Sequence, residues 1–261
     1  VLKDLSGLFL EKDGTLPKSI MPDSLHPEAE GYRRWAEAIE PEIEKVLGPI
    51  PADPPEAVGT PRVIGRFNQK NERLKKGNID ILMIGDSITH YWESNGQKIW
   101  DDLFAKNKAI NLGTGWDRTE NVIWRLQHYD FSKIHPKAAF LLIGVNNNRT
   151  STPENIAKGN RKICEILHEK FPAMKIYVQK VFPWGSDDLA GNNPVRRAIN
   201  SEIAKAVKDL DYVVLLDLEK CFLKEDGKLN PKVMKKDLVH LEEAGYQNWS
   251  KAIRPYVDLA P

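Results

Sequence analysis

The chain has 261 residues, 38 basic against 37 acidic side chains and a net charge of +1. That length suffices for a large α/β core, and the balanced charge excludes nucleic acid or an anionic membrane as the expected partner. No window approaches the roughly 18 apolar residues of a membrane span. Two cysteines, Cys164 and Cys221, are too few for a disulfide framework or a metal cluster and read as interior thiols.

Residues 1–48 open with a strand-like Val1-Leu2-Lys3-Asp4-Leu5, a turn at Asp13-Gly14 and the stretch Pro22-Asp23-Ser24-Leu25-His26. A helix is predicted from Glu28 to Leu47, with Tyr32, Trp35, Ala36, Ile39, Ile43 and Leu47 at helical spacing. Residues 49–61 carry Pro49, Pro51, Pro54, Pro55 and Pro61, which reads as a semi-rigid linker that divides the chain.

From Arg62 helix and strand alternate. A polar helix over Gln69–Lys76, whose basic residues read as a solvated face, leads to the strand 79–84, apolar except for Asp80. Gly85 then permits a sharp turn, placing Ser87 near the start of a helix and at the carboxyl edge of the sheet. In that place a serine is either an N-cap or a nucleophile. One helix is predicted through Trp92, Ile99, Trp100, Leu103 and Phe104. Strands at 109–112, 138–143, 175–181 and 212–216, separated by helices near 122–127, 153–170 and 194–210, predict a five-stranded parallel sheet covered on both faces.

The ending repeats the beginning. Val214, Leu215, Asp217, Leu218, Phe222, Leu223, Asp226, Gly227, Leu229 and Met234 match Val1, Leu2, Asp4, Leu5, Phe9, Leu10, Asp13, Gly14, Leu16 and Met21 at constant spacing. After one inserted residue, Asp237, His240, Glu242, Gly245, Tyr246, Trp249, Ala252, Ile253 and Pro255 match Asp23, His26, Glu28, Gly31, Tyr32, Trp35, Ala38, Ile39 and Pro41. Residues 1–48 are therefore read as the C-terminal segment of a preceding, truncated copy of the domain, and 62–261 as the complete copy.

Three further loops fall on the edge of Ser87: Gly113-Thr114-Gly115-Trp116-Asp117, Gly144-Val145-Asn146-Asn147-Asn148, and Asp237-Leu238-Val239-His240. A serine hydroxyl needs a base, and a histidine serves when a carboxylate fixes its tautomer. His240 and Asp237 supply both roles. Amides at Ser87 and in the 113–117 turn, with the Asn146 carboxamide, supply donors for an oxyanion.

Gly85-Asp86-Ser87, Asn111 to Asp117, Trp124-Arg125, Gly144 to Asn147, and Asp237 to His240 with Gly245-Tyr246 together resemble the blocks of the SGNH (GDSL) hydrolases, most closely the platelet-activating-factor acetylhydrolase-like branch. The resemblance covers about 62–261. It implies a three-layer α/β/α flavodoxin-like fold and a serine esterase; no cofactor is expected, and no metal, because no cluster of carboxylates and histidines converges in the sequence. In it Ser87 is nucleophile and first oxyanion donor, His240 the base, Asp237 its orienting partner and Asn146 the side-chain oxyanion donor. Where the family usually has a glycine as backbone donor, this chain has Trp116, with Gly115 as the fallback. The Trp116 indole is expected either to wall the substrate pocket or to pack on the core or Trp92.

By analogy with that branch the substrate expected is an acetyl ester, favoured on carbohydrate, for which Trp116, Trp92, Trp184 and Tyr91 offer stacking faces. A lipid or phospholipid acyl ester is the runner-up, and a non-catalytic assembly module with a vestigial triad the reading from another class. His90, His128, His135 and His168 read as structural or exposed, and Asn147 and Asn148 as turn formers. Asp23 and His26 are read as remnants, ahead of a role in place of Asp237 and His240 in cis or by a domain swap. The partners expected are thus a small-molecule or carbohydrate ester, with a preceding tandem domain or swapped oligomer in reserve. The compartment stays open, secreted or periplasmic by analogy.

Overall fold

The computed structural model describes residues 4–47, 61–185 and 193–258 and divides the chain into two compact units, Val1–Ile50 and Pro51–Pro261. The expected linker lies outside the described residues except for Pro61, which begins a helix.

In the first unit a short 3-10 turn, Ser6–Leu8, precedes the helix α1, Ala29–Leu47, which carries Pro41 inside it. The predicted opening strand is not formed at its described residues, Asp4 and Leu5. The helix start packs tightly on the preceding loop: a Cβ at Gly31 would meet Pro27 at 2.8 Å and the Ile20 carbonyl at 3.0 Å.

The second unit begins with α2, Pro61–Lys75. Five strands follow: β1 Ile81–Gly85, β2 Ala109–Asn111, β3 Ala138–Leu142, β4 Lys175–Gln179 and β5 Val213–Leu216, all parallel in the order 2-1-3-4-5. β1 and β3 pair in register from Ile81–Ala138 to Gly85–Leu142, and every residue of both is buried. Such unbroken apolar runs suit strands covered on both faces. The helices α5, Thr119–His128, α6, Pro153–Lys170, and α7, Pro194–Val207, pack in a row, as right-handed crossovers from β2 through β5 require. On the other face the C-terminal helix α8, Glu243–Asp258, covers the sheet. The result is the three-layer α/β/α arrangement.

The segment after β1 is not one helix. It divides into α3, Ser87–His90, a 3-10 turn Tyr91–Glu93, α4, Gln97–Trp100, and a π-turn Asp101–Ala105. Aromatic packing sets the breaks. Trp92 is fully buried, with ring centroids 4.6 Å from Tyr246, 4.9 Å from Trp249 and 5.2 Å from Phe104. This corrects the expectation that Trp92 offers a stacking face to a ligand; its indole belongs to the core.

Candidate active site

β1 delivers Ser87 through a turn that admits only glycine at position 85, where a Cβ would lie 2.3 Å from the Leu142 carbonyl of β3. Asp86, not Ser87, caps the helix that follows: its carboxylate accepts from the Ile88 N–H at 2.9 Å. The Ser87 Oγ is thereby left for other partners. It donates to His240 Nε2 at 2.8 Å, across 153 residues of chain. Since a carboxylate only accepts, the Nδ1–H of His240 donates to Asp237 Oδ2 at 2.7 Å, which leaves Nε2 unprotonated and facing the hydroxyl.

The turn that holds this pair is built locally. Asp237 Oδ1 accepts the N–H groups of Val239 and His240 at 3.0 and 2.9 Å, while Leu238 sits at φ 56°. Two bonds tie it to neighbouring chain, Gly185 N–H to the Leu238 carbonyl at 3.0 Å and Lys235 N–H to the His240 carbonyl at 2.7 Å. Tyr91 lies against the imidazole, ring centroids 5.0 Å apart. Partial burial pulls the Asp237 carboxyl upward, but the bonds from His240 and Val239 outweigh it and hold the group below its ordinary value.

The loop after β2 leaves one amide unused. Gly113 N–H donates to Asn111 Oδ1, Thr114 N–H to the Gly85 carbonyl, Gly115 N–H to His90 Nδ1 at 3.2 Å, and Asp117 N–H to the Thr114 carbonyl. The Trp116 N–H has no acceptor among the described residues. Trp116 sits at φ 69°, a left-handed angle that costs a non-glycine residue on the order of 1–3 kcal/mol. Trp116 is 88% exposed and lines the cavity; among the described residues it packs neither on the core nor on Trp92. A Cβ at Gly115 would stand 4.0 Å from the Ser87 Cβ, so the loop abuts the serine.

Two arginines brace this loop. Arg125, on α5, grips the buried Asp117 carboxylate through Nε at 2.7 Å and Nη2 at 2.6 Å. Burial pushes Asp117 up to about 6, and the guanidinium fork opposes it, so the carboxylate stays ionised at neutral pH. Arg66, on α2, donates to the Gly113 carbonyl at 2.8 Å and to Glu93 at 2.7 Å. After β3, Asn146 spends one amide hydrogen on the Asp117 carbonyl at 2.9 Å, which leaves the second for the cavity it lines. Asn147 is fully buried and ties this loop to α5, accepting from the Thr119 N–H at 3.1 Å.

Ser87, Trp116, Asn146 and His240 thus share one cavity of about 1180 Å³, with Trp184, Tyr91 and Arg149 also on its walls. It sits where the chain leaves β1 toward β2 on one side and β3 on the other, the switch point at which open α/β sheets bind ligands. His90, expected to be structural or exposed, lines this cavity. A sequence offers no sign of this, because its partner, Gly115, is distant in the chain. His128 and His168 keep their structural reading, the one stacked on Trp124 and the other on Tyr212.

Asp86 is fully buried beside this site, and loss of hydration pushes it up to about 7. A carboxyl whose folded pKa lies above its unfolded value is most stabilising when protonated, so its contribution declines from about pH 4 to about pH 7. Asp86→Asn should therefore match wild type near pH 4 and gain on it up to about pH 7, by at most about 4 kcal/mol. Urea unfolding midpoints at pH 4.5, 6 and 8 check this, and an unchanging difference would refute it.

The sequence profile of the GDSL-like Lipase/Acylhydrolase family matches residues 83–247. Platelet-activating factor acetylhydrolase IB subunit alpha2 of Rattus norvegicus and of Homo sapiens are each 30% identical over 213 residues, 80% of this chain and 88% of the relative. Among solved structures, a GDSL-like lipase from Bacteroides thetaiotaomicron aligns with a TM-score of 0.62 at 18% identity, covering 76% of this chain and 98% of that one. A mutant of an acetyl-xylooligosaccharide esterase from Geobacillus Stearmophilus aligns with a TM-score of 0.53 at 15% identity, covering 69% and 94%.

Proposed function

Since this chain belongs to the GDSL-like Lipase/Acylhydrolase family and is an ester hydrolase, we propose that it removes acetyl groups from a hydrophilic alcohol, a carbohydrate first of all, with Ser87, His240 and Asp237 as its triad. The observation that carries the chemistry is the line from Ser87 Oγ through the imidazole to Asp237, at 2.8 and 2.7 Å. As Oγ attacks the ester carbonyl, His240 Nε2 takes the hydroxyl proton and Asp237 steadies the imidazolium. The carbonyl oxygen gathers its charge among the Ser87 N–H, the Trp116 N–H and the free Asn146 amide hydrogen. Collapse expels the alcohol, which takes the proton from Nε2, and water repeats the sequence to free acetate.

Gly115 is not the backbone donor in this reading, because its N–H is already bonded to His90. Asn146→Ala should lower kcat about 10²- to 10³-fold with KM little changed, as loss of one oxyanion donor does. A change confined to KM in steady-state kinetics would remove Asn146 from that role.

For the substrate, acetyl is the group common to the names of the acetylhydrolase and acetyl-xylooligosaccharide esterase relatives. The sugar reading draws on a cavity walled by Trp116, Trp184, Gln69, Asn148 and Arg149, aromatic faces beside polar side chains. The second reading, an acetylated phospholipid, draws on the name of the relatives at 30% identity. Comparing kcat/KM on acetylated xylooligosaccharide, acetylated sialic acid and a phospholipid carrying a short acyl chain decides between them. Preference for the phospholipid by tenfold or more would overturn the carbohydrate reading.

A further inference from the structure

His90 ends the helical turn α3 that begins with Ser87, so the two side chains stand three residues apart on one face of that turn. Gly115 meets both: a Cβ built on it would lie 3.8 Å from His90 Nδ1 and 4.0 Å from the Ser87 Cβ. The Gly115 N–H donates to that Nδ1 at 3.2 Å, so this nitrogen carries no proton and the neutral imidazole bears its hydrogen on Nε2. The two backbones are held together as well. Asn111 Nδ2 donates to the Thr89 and His90 carbonyls at 2.9 and 3.3 Å while its Oδ1 accepts the Gly113 N–H at 2.9 Å. A Cβ at Gly113 would strike the His90 backbone nitrogen at 2.6 Å.

One residue further on, Trp116 takes φ 69°. That angle is strained for a residue with a Cβ, and rotation of the Gly115–Trp116 peptide unit relieves it while turning the Trp116 N–H to a new direction. Glycine at 115 offers little resistance to such a rotation. What opposes it acts from the flanking positions. Beyond Trp116, Asp117 is fixed, its N–H bonded to the Thr114 carbonyl, its carboxylate gripped by Arg125 and its carbonyl held by Asn146. Ahead of it, the Thr114 N–H is tied to the Gly85 carbonyl and the Gly115 N–H to His90. The Gly115 bond adjoins the rotating unit directly, and its acceptor is a side chain, so a single substitution removes it.

We propose that His90 is a positioning residue for ester hydrolysis: by holding the Gly115 N–H, its Nδ1 locks Trp116 in the left-handed conformation that presents the Trp116 N–H to the oxyanion. Its place in the reaction rests on the function proposed above, whereas the clamp itself is a property of the fold. His90 acts through Gly115 and takes no proton from Ser87, whose Oγ faces His240. The helical turn that presents the nucleophile thus also sets one of the donors that receive the charge its attack creates.

The experiment compares His90→Leu with His90→Asn in the 261-residue chain, by steady-state hydrolysis of p-nitrophenyl acetate and by amide hydrogen exchange at Gly115. Leucine offers no acceptor, whereas asparagine carries Oδ1 one bond beyond Cγ, where histidine carries Nδ1. In His90→Leu kcat should fall about 10- to 100-fold with KM little changed, less than for a donor removed outright because the bonds at Thr114 and Asp117 remain. The Gly115 amide should exchange about tenfold faster or more. His90→Asn should bring both readings back to within about threefold of wild type. In a Trp116→Gly background the left-handed angle carries no strain, and there His90→Leu should lower kcat by less than about threefold. Equal impairment by leucine and asparagine would overturn the proposal, as would a loss confined to KM or an undiminished loss in the Trp116→Gly background. Unchanged Gly115 exchange in His90→Leu, with turnover still dependent on Ser87, would sink the clamp alone. Turnover indifferent to Ser87→Ala would instead sink the function proposed above and the catalytic part of this proposal with it.

Discussion

Ser87→Ala is expected to lower kcat on p-nitrophenyl acetate by about 10⁴- to 10⁶-fold while leaving the fold unchanged. Removal of the nucleophile from a Ser-His-Asp system costs on that order, because the remaining oxyanion donors retain only about 10³- to 10⁴-fold over water. Among the described residues the side chain itself makes one hydrogen bond, to His240, and helix capping falls to Asp86. Thermal unfolding should therefore shift little. Equal rates for variant and wild type would end the serine mechanism, and with it the assignment of all three oxyanion donors.

His240→Ala should lose activity on a similar scale, whereas His26→Ala in the same chain should stay within about threefold of wild-type kcat. Both histidines stand three residues after an aspartate in matching turns, so neither motif nor local geometry separates them. What separates them is the partner at Nε2: Ser87 Oγ at 2.8 Å for His240, and none among the described residues for His26. Without that acceptor the hydroxyl proton has nowhere to go, a cost of several kcal/mol in the barrier. The reverse outcome, activity lost with His26 and kept without His240, would transfer the base to the first unit. Both variants are compared in steady-state assays at neutral pH.

Much of this architecture is legible in the chain because it is written in short-range terms. Branched apolar runs such as Ile81–Ile84 and Ala138–Leu142 have few ways to bury both faces except as inner parallel strands, and a glycine beyond such a run marks a turn at the carboxyl edge. Parallel topology then sends every such turn to one edge. For that reason the sequence already puts Ser87, the 113–117 loop, Asn146 and the Asp237–His240 turn at one edge of the sheet, and the structure finds them lining one cavity.

Other features were decided only by tertiary structure, since they depend on pairs far apart in sequence. Trp92 and Trp116 look alike as aromatic residues flanking the serine block, yet one is enclosed by Phe104, Tyr246 and Trp249 and the other stands in the cavity. Whether Gly115 or Trp116 leaves its amide unpaired turns on His90, 25 residues away, and the bracing of Gly113 on Arg66, 47 residues away. Composition and periodicity report which face of an element is apolar; they carry no record of which distant side chain meets it. The backbone of the site is thus a property of local sequence, and the assignment of each hydrogen-bond donor within it a property of the folded chain.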